Sequence, residues 1–231
     1  RARILVCAFI FGGGSVAGWF VAPRALELIS RPAGKLVFVA PTEAFFTLLK
    51  LALIIGLVIA SPAILVEAWR FVEPGLLPHE RYYARKYLPW AVLLFVLGIA
   101  FGYFCMFPLA FRLLMGFGGE SVHARLAAGE YLTFLGSFLL PFGVLFEIPL
   151  VVLFLVKLGV LDPAALTRSR RISYFVSFVI GAFITPPDVI SQLLMALPMI
   201  AVFEVSVIVA RRAFAARAST GDGLVAGSGG E

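Results

Sequence analysis

Long apolar runs alternate with short polar connectors along this chain. Six runs can be marked, at about 4–21, 44–69, 87–110, 131–156, 172–185 and 189–210. Within each run the apolar residues are continuous, whereas the strands of a membrane β-barrel would alternate apolar and polar positions. Runs of this kind predict helices that cross a bilayer, where about 20 apolar residues are needed and each backbone N–H and C=O must be satisfied inside the segment. The expected fold is therefore an all-α membrane protein with six transmembrane helices.

Two of the six runs depart from the pattern. From Arg171 to the Pro186-Pro187 pair there are about 15 residues, which as helix is roughly 22 Å, against an apolar thickness of about 30 Å. The sixth run carries Pro198 in its interior, which should kink or weaken it. Helices five and six are thus expected to be short, to be joined by Thr185-Pro186-Pro187-Asp188, and to leave a concave, locally thinned region. The connector 22–43 holds Pro23, Pro32 and Pro41 around the amphipathic stretch Arg24 to Ile29, and reads as a surface loop with a short interfacial helix. A second polar, Gly-rich loop covers 115–130 on the same side. The small, polar stretch 213–231 is expected to lack structure, which leaves 1–212 as one transmembrane domain. No internal repeat is evident, unlike many transporters.

Composition strengthens this reading: 61% of the 231 residues are hydrophobic, 14% are charged, and the mean hydropathy is +1.03. A soluble domain is about half apolar and a quarter charged. The net charge of +6 would suggest nucleic acid in a soluble protein. Here the cations sit in connectors, where they determine topology instead, so no nucleic-acid partner is expected. With the N-terminus inside, thirteen Lys and Arg lie in the inner segments and five in the outer loops, so both termini are expected in the cytoplasm. Lys50 lies near a helix end, where it can snorkel. Cys7 and Cys105 lie in apolar runs with no zinc or CxxC spacing, and read as small hydrophobes. The chain begins at Arg1, so a preceding segment is expected, and the first run reads as a retained helix rather than a cleaved signal.

Ionisable groups within membrane segments are costly and therefore informative. Glu147, in Phe146-Glu147-Ile148-Pro149, lies deep in the fourth run, and reads as functional, or as a group that is protonated or caps a neighbouring helix across the bundle. Glu204, two turns from Arg211 and Arg212, is either functional or a partner for basic residues near the inner face, and Asp188 either caps the last helix or carries function. The inner connector Phe71 to Arg81 brings Glu73 and Glu80 to the membrane face. A carboxylate accepts an Arg guanidinium through two parallel hydrogen bonds that Lys cannot reproduce, although such loop charges are often only solvated. Enzyme signals fail. His79-Glu80 begins an HExxH zinc motif, but Tyr83 occupies the second His position. His79 and His123 fall on opposite sides of the membrane, and no His lies in an apolar run to activate Ser137 or Ser191. Gly12-Gly13-Gly14 lacks the Lys-Ser/Thr of a phosphate loop.

The run Phe71 to Arg81, the stretch Phe104 to Phe111, Phe146-Glu147-Ile148-Pro149 and Thr185 to Gln192 together resemble the TatC family of twin-arginine translocase subunits. The resemblance covers about residues 1–212, in order and register. It implies a six-helix cupped bundle that binds signal peptides with paired arginines. It also implies export of folded proteins, with single-helix partners of the TatA and TatB type, across the bacterial inner membrane, driven by the proton-motive force without a cofactor. Self-association is implied as well. By position, Glu80 would pair the signal arginines, with Phe71, Pro74 and Arg81 shaping that face. Arg1 and Arg3 match the end of a family N-terminal motif whose glutamate would precede Arg1. Glu147 would be the polar group inside the cup. Thr185, Asp188 and Gln192 would form the docking place for partner helices. Pro78 departs from the polar or basic residue that relatives often carry. Two other readings stay open: a proton-coupled small-solute transporter with Glu147 as proton carrier, and a purely structural assembly hub.

Overall fold

The computed structural model describes residues 2–30, 36–38, 40–72, 78–116, 126–184 and 188–226. The described residues are almost entirely helical. In chain order they form α1 (Ala2–Ser30), α2 (Pro41–Val72), α3 (Pro78–Phe101), a π-helical turn (Gly102–Met106), α4 (Phe107–Gly116), α5 (Ala128–Leu158), α6 (Pro163–Arg168), α7 (Arg170–Ile184) and α8 (Val189–Ala226). Among the described residues, five segments are long and apolar enough to cross a membrane: Leu5–Ser30, Pro41–Ala68, Arg85–Gly116, Ala128–Leu158 and Val189–Ala215. With α7 of 15 residues as the short fifth crossing, the six expected helices are all present.

The sixth differs from expectation. Its apolar span covers 27 residues, with Pro198 accommodated inside the helix, so α8 is not short. Proline removes one intrahelical hydrogen bond, a loss that neighbouring groups and local adjustment can absorb in an apolar bundle. The helix also runs past 212 to Ala226, where a tail without structure was expected, because Ala210 to Ala218 is rich in the helix formers Ala and Arg. Nor, among the described residues, is there a separate interfacial helix after the first run. Residues 24–29 continue α1 through Pro23, because Ala25, Leu26 and Ile29 pack onto the main core.

The helices alternate in direction, and contacts identify the two ends. One end carries the cations Arg3, Arg70, Arg81, Arg85, Lys86, Lys157, Arg168, Arg170, Arg171, Arg211 and Arg212. It is termed the basic end below. The opposite end is cross-braced. Val37 and Ala127 form a bridge in which the Val37 N–H donates to Leu126 (3.0 Å) and the Ala128 N–H to Val37 (3.1 Å). There the Gly129 N–H donates to Glu43 (3.0 Å), and the Tyr131 hydroxyl to the Ile29 carbonyl (2.7 Å).

Close approach at glycine organises the bundle. A Cβ on Gly14 would lie 2.9 Å from the Gly56 carbonyl oxygen, and one on Gly18 would lie 2.6 Å from that of Ala52. The Gly14-xxx-Gly18 spacing thus lets α1 and α2 touch backbone to backbone, the geometry by which membrane helices associate when lipid is as apolar as their side chains. Gly98 does the same for α3 and α5, where a Cβ would meet the Phe142 carbonyl at 2.3 Å. Four residues on, the π turn begins at Gly102, with the Phe107 N–H donating to the Gly102 carbonyl. Pro108 has no N–H to give to residue 104, which favours this local widening. Beyond the turn an aromatic series runs through Phe107, Tyr131, Phe111, Phe134, Phe138 and Phe142 at centroid distances of 5.1–6.5 Å.

Candidate functional site

At the basic end, α2 finishes with Phe71, which is 77% exposed. The connector 73–77 follows, and α3 then begins at Pro78. Glu80 falls in the first turn of α3, and Arg81 next to it is exposed. The Glu80 side chain, Pro74 and Arg1 lie outside the described residues. Arg3 is half-buried in the first turn of α1, and its Nη1 is buried without a hydrogen-bond partner among the described residues. Glu67, one turn before Phe71, pairs with Arg70 at 2.8 Å. The antiparallel packing of α1 on α2 therefore brings Arg3, Phe71 and the start of α3 to one end of the bundle.

Glu147 lies near the middle of α5, on the side that faces α3. Oε1 of its carboxyl is buried with no hydrogen-bond partner among the described residues. One turn away, a Cβ on Gly143 would meet the Phe95 ring at 3.0 Å, so the helices are in contact here. A carboxyl oxygen buried without a partner costs on the order of 1–3 kcal/mol, an expense that a purely structural position avoids by using an apolar residue.

The α7–α8 hairpin resolves the remaining candidates. Asp188 caps α8, accepting from the Ser191 N–H at 3.2 and 3.1 Å through its two oxygens. Gln192 donates to the Phe178 carbonyl of α7 at 3.1 Å. Thr185 lies outside the described residues. Glu204 is engaged by a basic residue of the same end, as the partner reading expected, and that residue is Arg170. The two Glu204 oxygens accept from Arg170 (2.7 Å) and from the Tyr174 hydroxyl (2.6 Å). Arg211 turns away to Thr167 at 3.1 Å. Sequence reading overlooked Arg170 and Tyr174, yet their spacing of four places both on one face of α7 toward α8. The same face continues to Phe178, whose carbonyl Gln192 holds.

The chain as a whole is similar to known proteins. Residues 1–198 match the family model of the Sec-independent protein translocase protein TatC. The chain belongs to the TatC family. A TatC from Carboxydothermus hydrogenoformans is 40% identical over 216 residues, covering 91% of this chain and 89% of that protein. A TatC from Aquifex aeolicus is 37% identical over 221 residues, covering 92% of each. A crystal structure described as the twin-arginine translocase receptor TatC superposes with a TM-score of 0.84 at 36% identity, covering 92% of this chain and 96% of that one. The TatC assignment makes the chain a non-enzymatic component of Sec-independent protein translocation and a multi-pass membrane protein. Nothing in these likenesses favours a small-solute transporter.

Proposed function

We propose that this chain is the signal-reading core of a twin-arginine translocase in a bacterial inner membrane, with both termini cytoplasmic. The observation that carries the proposal is the likeness, at a TM-score of 0.84, to a structure described as a twin-arginine translocase receptor. The basic end is the cytoplasmic face, in keeping with thirteen inner against five outer cations. There Glu80 accepts the guanidinium groups of the paired arginines, with Phe71, Pro74, Arg81, Arg1 and Arg3 shaping the same face. The chemistry supports that role, since a carboxylate at the lipid interface discriminates planar, bidentate Arg from the point charge of Lys. Exposed Phe71 offers an apolar neighbour for the residues that follow the arginines.

Glu147 acts as the polar group within the membrane, in a system driven by the proton-motive force. Single-helix partners of the TatA and TatB type dock at the α7–α8 hairpin around Thr185, Asp188 and Gln192, and copies of the chain associate with one another.

The test is photocrosslinking from position 80 in membranes, with signal peptides carrying Arg-Arg or Lys-Lys. Adducts with Arg-Arg alone are expected, and Glu80→Gln should reduce the binding preference for Arg-Arg by tenfold or more while leaving the fold intact. That figure follows from about 1.5–3 kcal/mol for a hydrogen bond to a charged group. Equal labelling of both peptides by the wild type would overturn the assignment.

A further inference from the structure

An apolar groove of about 790 Å³ lies between α3, α5 and α8, and each side chain that lines it is apolar. Leu94 and Phe101 form one wall, Leu150 and Leu153 the floor, and Val205 and Val209 the other wall. The three lining faces can be followed to the basic end by helical spacing. On α3, Leu94 lies two turns from Tyr87. On α5, Leu153 is one turn before Lys157, and on α8 Val209 is one turn before Arg212. Lys157 donates to the Tyr87 hydroxyl and also lies 5.1 Å from the centre of that ring. Val156 and Ala210 pack in one buried cluster, which sets Lys157 and Arg212 at the same height. Both cations are exposed.

We propose that this groove is a site for an anionic phospholipid, with an acyl chain between α3, α5 and α8 and the phosphate on Lys157, Arg212 and the Tyr87 hydroxyl. Length decides between this occupant and a helix. From Leu197 to Val209 the groove runs about 18 Å, a little over half of the roughly 30 Å hydrocarbon thickness. One leaflet's acyl chain fills that distance, whereas a spanning helix would extend well beyond it. Charge decides the headgroup. A Lys and an Arg beside a Tyr hydroxyl, at the level where long basic side chains snorkel to the interface, complement a phosphate that carries net negative charge. A zwitterionic headgroup brings its own cation and gains less from this pair.

Native mass spectrometry of the full chain in mild detergent tests the site, with phosphatidylglycerol and phosphatidylcholine of identical acyl chains added in equal amounts. The wild type is expected to retain phosphatidylglycerol several-fold over phosphatidylcholine. Lys157→Gln with Arg212→Gln should bring the ratio close to one, and Lys157→Arg with Arg212→Lys should restore it. Ala201→Phe, which fills the groove from an exposed position, should lower retention of both lipids several-fold, with an unchanged melting midpoint showing that the fold persists. Equal retention of the two lipids by the wild type would refute the site, as would a preference that survives the double Gln variant. A photoreactive residue at position 201 in whole membranes supplies an independent readout. Lipid adducts support the proposal, and adducts with a partner helix, a signal peptide or a second copy overturn it.

Discussion

Single atoms decide what the polar residues of this bundle do. Glu147 and Glu204 are equally unwelcome in an apolar run, yet their fates differ. Glu204 is satisfied on both oxygens by Arg170 and Tyr174, and its role is to tie α8 to α7. Glu147 keeps a buried oxygen without a partner among the described residues. Glu204→Gln is therefore expected to lower the melting temperature in detergent while signal-peptide binding by the folded fraction stays unchanged. Glu147→Gln should leave the melting temperature within a degree or two but reduce export in cells. Paired melting and export assays of the two variants separate a structural carboxyl from a functional one, and the reverse pattern would exchange the assignments. Both glutamates can be picked out from the sequence by their setting. Their partners cannot, because Arg170 and Glu204 are separated by 34 residues and meet only through the hairpin.

At the scale of elements, close backbone contacts determine which helices are neighbours. Gly98→Leu places a side chain where a Cβ alone would be 2.3 Å from the Phe142 carbonyl. Overpacking of this kind costs about 1–3 kcal/mol, so a clear drop in thermal stability is expected. Gly12→Leu, where a Cβ would meet nothing within 4 Å, should be close to neutral and serves as the control. In the hairpin, Gln192→Leu removes the bond to the Phe178 carbonyl. Interhelical hydrogen bonds in membranes average on the order of 0.6 kcal/mol, so the fold should survive with a small loss of stability. Cysteine crosslinking to a single-helix partner then reports whether Gln192 also serves docking. The number of helices and the short fifth crossing are legible in the sequence from apolar run lengths. The long α8 is not, because a proline rule derived for helices in water overstates the break when neighbouring helices support the backbone. The π turn also lacks a reliable local signature, although Gly102 and Pro108 flank it suggestively.

For the molecule as a whole, the two ends differ in charge and in bracing. The opposite end is bound together by the Val37–Ala127 bridge and the Glu43 and Tyr131 hydrogen bonds, whereas the basic end presents exposed Phe71, Arg81 and Lys157. Orientation can be tested in a variant whose Cys7 and Cys105 are replaced by serine. A cysteine at Val160, 72% exposed in the α5–α6 connector, is expected to react with an impermeant maleimide only after the inner face is opened. One at Ala40, beside α2 at the opposite end, should react in intact spheroplasts. Labelling in the reverse order would invert the proposed topology and remove the signal-peptide face from the cytoplasm.

The sequence by itself determined the solvent, the number of crossings and the chemical classes it excludes, because these follow from local run length, charge placement and missing motif residues. It also marked Glu147, Asp188 and Glu204 as polar groups in costly surroundings. Tertiary structure decided the rest. Which carboxyl is satisfied, which glycines bring helices into contact, and where three apolar faces enclose a groove beneath two cations all depend on residues far apart in the chain. Such relations arise only when helices pack, and lipid exerts no hydrophobic force between helices that would impose one packing on an apolar run. The choice is left to a few small residues and hydrogen bonds, whose partners no local pattern specifies.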